Sequence, residues 1–155
     1  MKTDKKVVWI TGASSGIGAA LAHHYAQKGA RLILSSRRTS ALEKVKSECA
    51  NTDYIKILPL DLNDYDTAGD IVQKAVDFFG KVDVLINNAG VSQRSLIIDT
   101  EFNVFKKLME IDYLGTVAFS RAILPFFLQQ GGGHYVVVSS VMGKYGSPYL
   151  SLIHI

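Results

Sequence analysis

Thr11-Gly12-Ala13-Ser14-Ser15-Gly16-Ile17-Gly18 is the stretch on which the reading of this chain turns. It follows an apolar run, Val7-Val8-Trp9-Ile10, and opens a pattern in which Ile17, Leu21 and Tyr25 recur at helical spacing. A glycine-rich strand-to-helix turn is the setting a dinucleotide needs. Missing Cβ atoms let backbone approach a pyrophosphate, and the helix N-terminus offers free N–H groups at the positive end of its dipole. The alternative is a glycine turn that holds no ligand.

The rest of the chain alternates strand and helix. Val7–Ile10 reads as a short buried strand, and Gly29 as the C-terminal stop of the helix after it. Leu32–Leu34 is the second strand. Thr39 or Ser40 can cap a helix carrying Leu42 and Val45. Ile55–Leu60 is the third strand, with Pro59 near its end, where a missing N–H is tolerable. Asn63 or Asp64 starts a helix with Ile71, Ala75 and Phe79 on one face. Val82–Ile86 is the fourth strand. A long helix follows from about Glu101 to Leu128, then the turn Gly131-Gly132-Gly133, then a fifth strand at Tyr135–Val138. Strands separated by helices call for parallel pairing and right-handed crossovers. The expected fold is therefore α/β: a three-layer, Rossmann-like, doubly wound parallel sheet of about five strands.

Three further motifs accompany the loop, in this order: Asp61-Leu62, Asn87-Asn88-Ala89-Gly90 and Ser139-Ser140-Val141. Together with the spacing Gly12-x-x-x-Gly16-x-Gly18 they resemble the classical short-chain dehydrogenase/reductase family over roughly residues 5 to 149. The resemblance implies an oxidoreductase that moves a hydride between a nicotinamide cofactor and a carbonyl or alcohol carbon. It implies that Gly12, Ser14, Ser15, Gly16, Ile17, Gly18, Arg37, Asp61, Leu62, Asn88, Ala89 and Gly90 cradle the cofactor. Residues 1–149 would be the dinucleotide-binding domain, incomplete because family members continue with further C-terminal strands.

The end of the second strand, Ser35-Ser36-Arg37-Arg38, bears on which cofactor. An acid there accepts from the ribose 2′-hydroxyl and repels a 2′-phosphate. Ser36 stands where the family's NAD-binding members carry that acid. Arg37 can pair with a 2′-phosphate through charge-assisted bonds. The expectation is NADP(H) in preference to NAD(H). Ser15 is a counter-signal, since many NADP-preferring relatives carry a basic residue there, and a solvated basic turn is the alternative reading of Arg37. For Asp61 the alternative is an acid at a helix N-terminus.

Ser140 resembles the serine that hydrogen-bonds the substrate oxygen, and Ser139 beside it reads as structural. Asp112, in Asp112-Tyr113-Leu114-Gly115, is a departure: the family usually carries Asn there, holding a water that relays protons to the active-site lysine. An Asp can hold the same water but adds a charge that shifts neighbouring pKa values. The alternative is an ordinary helical acid. The family reaction also needs a Tyr-x-x-x-Lys pair, the tyrosine as general acid or base and the lysine lowering its pKa. By family spacing from Ser140 that tyrosine belongs at position 153, which is Ile153, and Tyr149 comes four positions too early. Leu150-Ser151-Leu152-Ile153-His154-Ile155 is what CTGTCTCTTATACACATC encodes, a string resembling a transposon mosaic end used in sequencing libraries. The expectation is that natural sequence stops at Tyr149 and that 150–155 is a non-native tail, the alternative being a genuine apolar C-terminus. The 155-residue chain itself is then expected to be inactive. A competing function is a non-catalytic dinucleotide-binding or regulatory protein without the Tyr/Lys pair.

Bulk properties exclude several other classes. At 155 residues and a net charge of +3 the chain is one domain with an ordinary soluble composition. Basic residues are scattered among acids, which gives no nucleic-acid footprint. The single cysteine, Cys49, rules out an internal disulfide and suits a reducing compartment, so a cytoplasmic location is expected. His23, His24, His134 and His154 do not form a metal-ligand set, and no metal is expected. No unbroken apolar run reaches the roughly 18 residues a membrane span needs. The stretch from Gly115 to Pro125 does resemble membrane-associated or lipid- and steroid-directed family members. The expected partner is a small carbonyl or alcohol substrate, and the resemblance implies a homo-oligomer for the complete protein.

Overall fold

The computed structural model describes residues 5–144. Tyr149, position 153 and the 150–155 segment lie outside the described residues. Among the described residues, five parallel strands form one sheet: β1 (Val7–Thr11), β2 (Arg31–Ser35), β3 (Ile55–Ile57), β4 (Val84–Asn87) and β5 (His134–Val137), in the order β3-β2-β1-β4-β5. Helices α1 (Gly16–Gln27) and α2 (Thr39–Glu48) cover one face. The other is covered by α3 (Ala68–Asp77) and α5 (Thr116–Gln129); α4 (Phe102–Leu108) lies upstream of α5. This is the expected three-layer, doubly wound α/β fold.

Strand alternation sorts the core into two halves. Val8, Ile10, Leu32, Leu34 and Ile86 face Ala22, Ala26, Leu42 and Val45. Val7, Trp9, Ile33 and Leu85 face Ala68, Val72, Ala75, Phe119, Ile123 and Phe127. Both faces are buried, so the strands read as continuous apolar runs rather than alternating ones.

The structure corrects several details. In α1 the buried stripe is Gly18, Ala22 and Ala26, one residue along from the expected Ile17, Leu21 and Tyr25. Small residues let the helix lie close to the turn that precedes it, and Ile17 is left 59% exposed. Gly29 does close α1: its N–H bonds Ala26 O and that of Ala30 bonds Tyr25 O, a Schellman motif. The hydroxyls of Thr39 and Ser40 do not cap α2, whose N-cap is Arg38 with no side-chain cap bond. The ladder of β3 stops at Ile57, yet Leu58 N and Leu60 N still donate to Leu34 O and Ser36 O. Pro59 falls between those donors, so no inward N–H is lost. A 3₁₀ turn, Tyr65–Thr67, precedes α3, which therefore begins later than Asn63 or Asp64.

The expected long helix is not uniform. Met109–Gly115 between α4 and α5 is π-helical. Taken as one rod, Phe102–Gln129 is 28 residues long and, by length and composition, apolar enough to cross a membrane. It is not an unbroken apolar run, because Lys106, Lys107, Glu110, Asp112 and Arg121 interrupt it. Here one side of it, through Ile111, Phe119, Ile123 and Phe127, seals the sheet.

Candidate active site

Chain direction across the sheet creates the site. From β1 the chain runs outward to β2 and β3, then returns past β1 to β4 and β5. The connections therefore diverge at the carboxyl ends of β1 and β4, where open α/β sheets bind their ligands. A cleft of about 390 Å³ opens there. Its lining includes Gly12, Ser14, Ser15, Ile17, Arg37, Asp61, Leu62, Asn88, Ala89 and Gly90. Ten of the expected cofactor residues are thus brought together from four separate loops.

The other two, Gly16 and Gly18, support the loop instead of lining the cleft. Gly16 has a φ of 55°, in the left-handed region that favours glycine. Gly18 is a close approach: a Cβ there would collide with Gly12 O and sit 2.6 Å from Asn88 Nδ2. The helix can start this near the strand only without a side chain. The N-cap, Ser15, makes no side-chain cap bond, so side-chain capping does not occupy the first-turn N–H groups of α1.

Thr11 and Asn88 lock the two central loops together. Asn88 Nδ2 donates to Thr11 O at 2.9 Å and to Gly12 O at 3.3 Å. Thr11 Oγ1 donates to Ile86 O at 3.2 Å and accepts from Asn88 N at 3.1 Å and Ala89 N at 3.0 Å. Sequence reasoning quoted Thr11 within the motif but gave it no role. It also passed over Arg38, Val91, Ile111 and Val138, which line the cleft, as does Ser36. Of these, Arg38 carried a legible signal, as the second arginine of the β2 turn. Ser36 Oγ accepts from Arg38 N at 3.2 Å, which folds that turn and leaves both arginines exposed at the cleft's edge. Asp61 Oδ1 accepts from Asn63 N at 3.0 Å, a local turn that fixes the loop after β3.

Ser140 and Asp112 are not in the lining. Ser140 is exposed beyond β5, and its Oγ accepts from Met142 N at 3.1 Å. Asp112 lies in the π-helical segment, and its Oδ1 accepts from Val91 N at 2.8 Å. Desolvation raises the Asp112 carboxyl above its ordinary value of 3.8, outweighing the opposing pull of the Val91 N–H. The sign for stability follows. The folded state holds this proton more tightly than the unfolded chain, so the ionised carboxylate penalises folding. That penalty is absent below the ordinary value, grows between it and the raised one, and is complete above the raised one. Asp112→Asn is therefore expected to be more stable than wild type at neutral pH, with the gain vanishing in acid. Urea unfolding of both proteins across that range checks it; a gain that grows in acid reverses the argument.

The fold and the cleft at its switch point define a dinucleotide-binding α/β domain. A family profile described as short chain dehydrogenase matches residues 6–152, and the chain belongs to that family. The human protein dehydrogenase/reductase SDR family member 7 is 42% identical over 147 residues, 92% of this chain and 43% of that protein. Accordingly, the chain spans about half the length, or less, of the curated relatives it matches. A short-chain dehydrogenase from Streptomyces avermitilis superposes with a TM-score of 0.90 at 31% identity, over 99% of this chain and 56% of that one. ElxO with NADP bound gives 0.88 at 30%, over 96% and 61%. A 3-ketoacyl-(acyl-carrier-protein) reductase from Brucella melitensis complexed with NADH gives 0.87 at 27%, over 96% and 62%.

Proposed function

We propose that this chain is the nucleotide-binding part of an NADP(H)-dependent oxidoreductase acting on a carbonyl/alcohol substrate. The observation that carries the reading is the cleft itself: a glycine-rich turn, a helix N-terminus and two arginines around one crevice. The residues fit the cofactor. A Cβ at Gly12 would stand 2.7 Å from Ala89 Cα, and one at Gly18 would displace the Gly12 carbonyl, so the cradle exists only with glycine at both positions. The nicotinamide, when bound, supplies or accepts the hydride.

The protein groups have distinct tasks. The turn from Gly12 to Gly18 receives the pyrophosphate at the start of α1. Asp61 and Leu62 flank the adenine. Arg37, with no acid at Ser36, favours a 2′-phosphate. Ser140 accepts from Met142 N, which leaves its own O–H free to donate to a substrate oxygen. That donation polarises a carbonyl toward hydride attack. Relatives of this fold appear with either NADP or NADH, so the preference is assigned from this chain's own arginines.

The test is nucleotide binding. The purified chain is expected to bind NADPH more tightly than NADH, and Arg37→Asp to shift the affinity ratio by about ten- to hundredfold toward NADH, the worth of a charge-assisted bond. Calorimetric titration of both proteins with both nucleotides decides it. An unchanged ratio returns Arg37 to a solvated turn residue.

A further inference from the structure

We propose that the π-helical turn Met109–Gly115 is a positioning element that sets the width of the cleft, holding one wall through Asp112 and seating the other through Gly115. Three observations meet in this one segment. Ile111 lines the cleft and is only 5% exposed. Asp112 Oδ1 receives Val91 N at 2.8 Å, and a Cβ at Gly90 would already be 3.2 Å from that oxygen. Gly115 lies against the opposite wall: a Cβ there would collide with Leu62 O and stand 2.8 Å from Leu62 Cβ. A π turn carries an extra residue, so it splays side chains that an α turn would stack along one edge. That splay lets positions 112 and 115 reach two different loops while Ile111 stays between them as the floor.

Both walls belong to the same hydrophobic cluster, Leu62 within it and Ala89 and Val91 packed against it. The Asn88–Val91 wall is held from the β1 side by Thr11, which binds Asn88 N and Ala89 N, and from the helix side by Asp112. The Leu62 wall is shaped locally by Asp61, whose carboxylate and carbonyl accept from Asn63 N and Asp64 N. Leu62 itself is buried, with its backbone against Gly115. Both walls thus also meet the same turn, which helps to set the gap between them. Adenine is the flat group that such a gap takes, so the inference rests on the nucleotide reading above. Asp112 acts through Val91 and Gly115 through Leu62; both are positioning residues.

The experiment is calorimetric titration of the purified chain with NADPH and, separately, with 2′,5′-ADP, which carries the adenine half alone. Asp112→Asn keeps an amide oxygen as acceptor for Val91 N and is expected to hold both affinities within about twofold. Asp112→Ala removes the acceptor and is expected to weaken both ligands by the same factor, about five- to tenfold. Gly115→Ala pushes on the Leu62 backbone and is expected to weaken both equally as well. Thermal melts run alongside; if Gly115→Ala does not fold, the Asp112 pair decides. A folded Asp112→Ala that binds like wild type overturns the clamp. So does a loss confined to NADPH with 2′,5′-ADP unaffected, since the damage is assigned to the end both ligands share. Wild-type chain that binds neither ligand overturns the nucleotide reading itself, and the clamp with it.

Discussion

Phe119→Ala is expected to lower the unfolding free energy by about 3–5 kcal/mol, the range for removing a large aromatic from a packed core. Phe119 is fully buried on α5 and meets Trp9 of β1 edge to face, with ring centroids 6.3 Å apart and planes at 84°. With Ile111, Ile123 and Phe127 it is one of the side chains through which the long helix grips the sheet. Rigid strands beneath and a π turn just upstream leave little room for collapse, which places the cost toward the upper part of the range. Native domains hold only about 5–15 kcal/mol in total, so the variant should unfold at markedly lower urea. Trp9 is the single tryptophan and touches the deleted ring, so its fluorescence reports the transition directly. Phe119→Leu, which fills part of the space, should lose less. A loss below about 1 kcal/mol for Phe119→Ala would mean that the helix is held by its ends.

The α/β class, the parallel pairing and the glycine turn were legible because they rest on local chemistry. An apolar run feeding a glycine-rich turn has few other uses, and helical spacing between runs forces crossovers. The motif residues Asn88, Ala89, Gly90, Asp61 and Leu62 were likewise visible, and they do converge on the cleft. What was not legible depends on how pieces meet. Leu21 and Tyr25 lie at helical spacing, yet the buried stripe of α1 is set by how closely Gly18 approaches Gly12. Met109–Gly115 keeps an apolar pattern compatible with an uninterrupted helix, so nothing in its residue types announces the π register. Without that register the partner of Asp112 could not be named. Thr11 is a residue type common in strands, and only the paired loop after β4 gives its hydroxyl three partners.

Thr11→Val is the sharper test of the site, because it changes chemistry at nearly constant shape. It is expected to cost about 2–4 kcal/mol of stability and to weaken nucleotide binding in parallel. The buried Thr11 hydroxyl donates to Ile86 O and accepts from Asn88 N and Ala89 N. Valine leaves those two N–H donors facing a methyl group, and each unpaired donor costs about 1–3 kcal/mol. Asn88 and Ala89 are only partly buried, so water offsets part of that sum. The same two residues line the cleft, and Asn88 also holds Gly12 O, so the glycine turn loosens with them. Thr11→Ser separates the causes. It keeps every hydrogen bond and removes one methyl, a loss of about 0.8 kcal/mol by transfer alone. Urea unfolding and NADPH titration of the three proteins should rank them wild type, serine, valine in both measurements. If valine matches wild type while serine is the weaker, Thr11 serves packing, and the two loops are joined by Asn88 alone.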